Sequence, residues 1–146
     1  MTLSKDARAQ ITRLANRIVA QYHLKAPPVP VETILSNPPG ELEKVDITDL
    51  SLVFGAGEHR HELRLGLARL LYREICRADL EEPPVPYTGE AARTFARELL
   101  APAMWLTPAA RRSGVTLSDL GEEFQLPEYT VASRLVELGL WVKGME

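Results

Sequence analysis

Apolar residues recur along residues 4–22 at Ile11, Leu14, Ala15, Ile18 and Val19, while Lys5, Arg8, Arg13 and Arg17 fall elsewhere on the helical wheel. That spacing predicts an amphipathic first helix, with Ser4 placed to cap it. Pro27 and Pro28 forbid its continuation, since each lacks an amide donor and clashes with the preceding turn. Val31 to Ser36 then fits one or two helical turns, stopped by Asn37-Pro38-Pro39-Gly40. Over Leu42 to Ile47 the period changes to two, with Val45 and Ile47 alternating with charge, and Ser51 to Phe54 is a brief apolar run. These predict two short strands joined near Asp46 to Asp49.

The most continuous helical pattern is His59 to Arg77, where Leu63, Leu67, Leu70, Leu71 and Ile75 form one face. It is expected to be the central helix. Ala78 to Gly89 is acidic and proline-rich, and predicts a loop. Glu90 to Ala101 is the next helix, with Ala92, Phe95, Ala96, Leu99 and Leu100 on one face and Pro102 at its end. Thr107-Pro108 has the order that opens a short helix through Arg112. Two further helices, about 117–124 and 128–138, are joined at Gln125-Leu126-Pro127, with Gly139 placed to cap the second. The expectation is a mostly helical α+β single domain with a small, short-stranded sheet and a C-terminal helical hairpin: residues 1–106 form the core and 107–146 pack on it.

Composition narrows the setting. A chain of 146 residues buries roughly two-thirds of its unfolded surface, so no metal or disulfide is needed to hold it together. The single cysteine, Cys76, cannot form an internal bridge, and residues 1–10 carry no signal-peptide pattern; both predict a reduced, cytoplasmic protein without a membrane span. A net charge of −3 with pI near 5.7 argues against a dedicated nucleic-acid binder, which must neutralise several phosphates.

With the elements placed, four segments in order resemble the ImmA/IrrE family of zinc metallopeptidases, bacterial and phage proteins that cut repressors or other regulators. A proline-containing entry is matched by residues Ala26 to Leu35, APPVPVETIL. The Arg-led helix of the type RFTLAHELGHLLLH is matched by Arg60 to Arg73, RHELRLGLARLLYR. A helix of the type ExxANxFAxxLLxP is matched by Glu90 to Pro102, and a closing RLxxLGL by Arg134 to Leu140. The resemblance implies a zincin-like remnant of a fold, with zinc chemistry on the Arg-led helix.

That chemistry requires two histidines at i and i+4 on one metal, a glutamate beside the first as base, and a third ligand from another helix. Set against the family's leading Arg, those positions here hold Leu65, Gly66 and Arg69, which offer no lone pair, no side chain and a repelling charge. A second register aligns His61-Glu62 with the family's His-Glu, and the second ligand position is then Leu65. His59, His61 and Glu90 remain the candidates for an atypical zinc set, with solvated histidines and a first-turn acid as the ordinary alternative.

The expected function is therefore a catalytically inactive, metallopeptidase-like module that binds a protein partner such as a transcriptional regulator, with no cofactor. The alternatives are an active zinc endopeptidase using the atypical set, and a small DNA-binding regulator using the terminal helices. From Arg111 onward four basic residues face six acidic ones, which opposes DNA, and Arg134 is the residue on which that alternative would be tested. Arg64, Arg69, Arg73 and Arg77 are expected to line one face of the central helix as a partner surface, or to be solvated beside Glu62 and Glu74. Cys76, near the end of an apolar helix with no base in reach, predicts a structural thiol.

Overall fold

The first helix, α1 (Lys5–Gln21), opens where Ser4, in extended backbone, accepts the Ala7 amide at 3.1 Å, which satisfies one of the donors a first turn leaves without a partner. It buries Ile11, Ala15, Ile18 and Val19. The protein is described by a computed structural model for residues 3–37, 60–78 and 85–146. After the prolines, α2 (Val31–Ser36) buries Val31, Ile34 and Leu35. α3 (Arg60–Arg77) follows, then α4 (Gly89–Leu100), whose cap Thr88 accepts the Ala91 amide at 3.0 Å. The chain closes with α5 (Ala103–Ala110), α6 (Leu117–Phe124) and α7 (Glu128–Glu137).

The helix at the centre is α4. It packs on both α1 and α3, while α2 packs on α3 and α6 on α7. Eight of its residues are buried, Ala91, Ala92, Thr94, Phe95, Ala96, Glu98, Leu99 and Leu100; a helix apolar over so much of its circumference has neighbours on more than one side. Phe95 meets Tyr72 of α3 with ring centroids 5.0 Å apart, an arrangement worth about 0.5–1.5 kcal/mol beyond area burial. α3, expected at the centre, covers one side of α4. Its buried stripe is turned from the expected one: Leu65, Leu67, Ala68, Leu71, Tyr72 and Ile75 are buried, whereas Leu63 and Leu70 are half-buried.

Among the described residues there is no strand and no sheet, only the isolated bridge between Thr116 and Lys143. The expected α+β fold with a small sheet is corrected to a helical one: the buried residues lie on helix faces and their connections and form a single cluster running from Ile11 to Val142, so the described core is closed without a sheet layer. The two strands expected over residues 42–47 and 51–54 lie outside the described residues. The short helix expected to open at Thr107-Pro108 instead starts at Ala103, with Pro108 inside it. Pro108 is exposed, as is Met104, whose carbonyl would have been its partner; water can take the freed bond there.

The terminal pair is set by local chemistry. Thr116 accepts the Asp119 amide at 3.1 Å and Asp119 accepts the Thr116 amide at 3.0 Å, a reciprocal capping box. Gln125 ends α6 in the left-handed region at φ 53. Gly121 permits the tight turn, since a Cβ there would meet the Leu126 carbonyl oxygen at 3.2 Å. The tail then returns across the start of α6, where the Leu117 amide donates to the Lys143 carbonyl at 2.8 Å.

Candidate functional site

On the α3 turn to which the resemblance would assign metal and base positions, Leu65 and its neighbour Arg64 hold the fold. Leu65 is in the core, 8% exposed. Arg64, 2% exposed, is enclosed by acceptors from three directions. Its Nη1 donates to both carboxylate oxygens of Glu32 at 3.2 Å, its Nη2 to the Val29 carbonyl at 2.6 Å and its Nε to the Gln125 carbonyl at 3.2 Å. Burial lowers the pKa of this guanidinium, and the Glu32 charge acts against that fall. One side chain thus joins α3 to the start of α2 and to the turn between α6 and α7. Gly66 is half-buried, and among the described residues a Cβ placed on it would meet only the guanidinium end of Arg69, at 4.0 Å. Arg69 is exposed.

His61, beside this turn, lines an open cleft of about 170 Å³ between the start of α3 and the α6–α7 hairpin. The cleft is acidic, with Glu62 from α3, Glu122 from α6 and Glu128 from α7 around Gly121 and Leu126. Glu90 is not part of it: it sits in the first turn of α4 and pairs with Arg93 at 3.3 Å. His59 lies outside the described residues. Among the described residues no group of three or more His, Cys, Asp or Glu side chains is arranged to hold a metal ion.

The expected arginine face is three residues rather than four, because Arg64 turns into the core. Arg69, Arg73 and Arg77 are exposed, and Arg77 approaches Glu74 at 3.7 Å. Arg134, named for DNA contact, is 4% exposed and unavailable to any partner. Its guanidinium donates to Glu98 at 2.8 and 3.4 Å and to the Ala101 carbonyl at 2.9 Å, and Thr12 of α1 donates to the same carboxylate at 3.1 Å. The two motif segments that carried the resemblance, around Phe95 and around Leu135, are thereby tied together through a buried ion pair. Cys76 donates to the Val85 carbonyl at 3.5 Å and burial raises its pKa, which disfavours the thiolate a nucleophile needs.

The outer face of α7 was missed by the sequence argument. Thr130, Val131, Arg134 and Leu135 are its buried side; opposite them Tyr129 and Val136 are 63% and 68% exposed, with half-buried Ala132 between. Trp141, just beyond α7, is 62% exposed. The signal available in sequence was the surplus of apolar residues over what one buried stripe of a ten-residue helix needs. No protein-family model, no curated protein and no solved structure matches the chain.

Proposed function

We propose that this chain is a catalytically inactive, ImmA/IrrE-type metallopeptidase-like protein that works as a protein-binding regulatory module. The observation that supports it is the use made of the α3 turn: Leu65 is packed into the core and Arg64 is committed to Glu32, Val29 and Gln125, where the resembling enzymes need imidazoles and a carboxylate converging on zinc. Leu65 and Arg64 thus serve the packing of α3 on its neighbours, and Arg69 on the same side is exposed. The exposed apolar residues of α7 and the acidic cleft beside them give a second support, because a surface of that kind suits a macromolecular partner better than a peptide-bond hydrolysis step.

Metal analysis of the purified chain together with a casein hydrolysis assay tests this. The expected result is substoichiometric zinc and no hydrolysis with added zinc, both unchanged in the His61→Ala/Glu90→Gln double variant. Stoichiometric zinc and hydrolysis that disappear together in that variant would overturn the proposal in favour of an atypical zinc endopeptidase.

A further inference from the structure

We infer that the outer face of α7 and the acidic cleft at its start form one docking surface for a basic amphipathic helix of a protein partner. This rests on the protein-binding part of the function proposed above and names the partner's chemistry.

The two features are continuous in the chain. Glu128 lines the cleft and Tyr129, next to it, begins the exposed stripe that runs through Ala132 to Val136. Spacings of three and four place these residues on one side of α7, opposite the buried Val131 and Leu135. Tyr129 and Val136 leave a large fraction of their apolar surface in water, and a helix of ten residues is about 15 Å long, room for about three turns of a second helix laid along it. Charge decides which helix fits. Among the described residues the side chains of Glu122 and Glu128 meet no hydrogen-bond or ion-pair partner, and α7 offers no exposed basic residue, since its single arginine, Arg134, is buried. A partner that carries Lys or Arg at one end of an apolar stripe would place the cation in the cleft and its apolar residues on Tyr129 and Val136. Phosphate backbones would be repelled by the same carboxylates.

Among the described residues, a second copy of this chain does not meet the requirement. The exposed helical cations described are Lys5, Arg13 and Arg17 on α1, Arg60, Arg69, Arg73 and Arg77 on α3, and Arg93 on α4. The large exposed apolar residues among the described positions, Tyr87, Met104, Tyr129, Val136 and Trp141, lie on none of these helices.

The test uses the full chain and an 18-residue Lys/Leu amphipathic peptide, with its Glu/Leu counterpart and a Lys-rich scramble without an apolar stripe. Titration followed by amide chemical shifts is expected to give micromolar binding of the Lys/Leu peptide, with the largest shifts at residues 122 and 128–136. Binding should weaken by at least about tenfold in Glu122→Lys/Glu128→Lys and, separately, in Val136→Asp, while Asp6→Lys/Glu74→Lys, with the same net charge as the first variant, leaves it unchanged. The inference is overturned if the Lys/Leu peptide does not bind, if the scramble binds equally, if the two charge variants weaken binding alike, or if Val136→Asp abolishes self-association instead of peptide binding. Zinc-dependent hydrolysis would overturn the proposed function whatever the peptide does; loss of peptide binding alone would remove this inference and leave the inactive-enzyme part standing.

Discussion

Arg64 shows how one residue changes meaning between sequence and structure. On a helical wheel it joins Arg69, Arg73 and Arg77 as a solvent-facing cation. In the fold it is enclosed by Glu32 and two main-chain carbonyls at 2.6–3.2 Å. The energetics are asymmetric, because Arg64 is 3% exposed and Glu32 33%. Glu32 can rehydrate when its partner is removed, whereas the Val29 and Gln125 carbonyls lose donors at a site with little water. Arg64→Ala is accordingly expected to destabilise the protein by about 2–4 kcal/mol and Glu32→Gln by about 1–2 kcal/mol, as read from urea unfolding. Equal effects would show that the carbonyl contacts contribute little.

At the scale of an element, α6 is the helix whose existence depends most visibly on local chemistry. It has eight residues, too few to be stable alone, and its first turn is held by the Thr116–Asp119 capping box. Thr116→Ala is expected to cost about 1 kcal/mol in thermal unfolding. The hydrogen bonds from Thr116 hold the Asp119 carboxyl below its ordinary value of 3.8. A depressed folded pKa stabilises fully above the unfolded value and is lost as pH falls through the folded one. Asp119→Asn, which removes the ionised acceptor of the Thr116 amide, should therefore cost less as pH is lowered below about 4, and a pH-independent difference in unfolding midpoint would contradict the carboxylate's part in the capping box.

For the whole molecule, the connection that unites the fold is the buried pair of Glu98 and Arg134, whose side chains are 8% and 5% exposed. It joins α4 to α7, and through Thr12 to α1. Removing one partner leaves a buried charge uncompensated, so Arg134→Ala and Glu98→Ala are each expected to cost about 3–5 kcal/mol. The double variant should cost less than their sum by about 1–3 kcal/mol, and additivity in a urea-melt cycle would refute the coupling. Arg134→Ala is thus a probe of folding, and a loss of any binding in that variant carries no information about DNA.

By itself the sequence determined most of the helices, because caps, prolines and three-to-four spacing act within a few residues: Ser4, Pro102 and Gln125-Leu126-Pro127 lie where elements end or begin. It also determined that α3 carries Leu65, Gly66 and Arg69 where the proposed resemblance would require metal ligands and a base, a matter of residue type independent of fold. Only the tertiary structure decided that α4 is central, that Arg64 and Arg134 face inward, and that Tyr129, Val136 and Trp141 face outward. Helical periodicity specifies which residues share a face; it does not specify how many faces will find a neighbour. For charged residues, inward placement depends on a partner such as Glu32 or Glu98, which lies 32 or 36 positions away. Such pairings are set by packing, and no local pattern contains them.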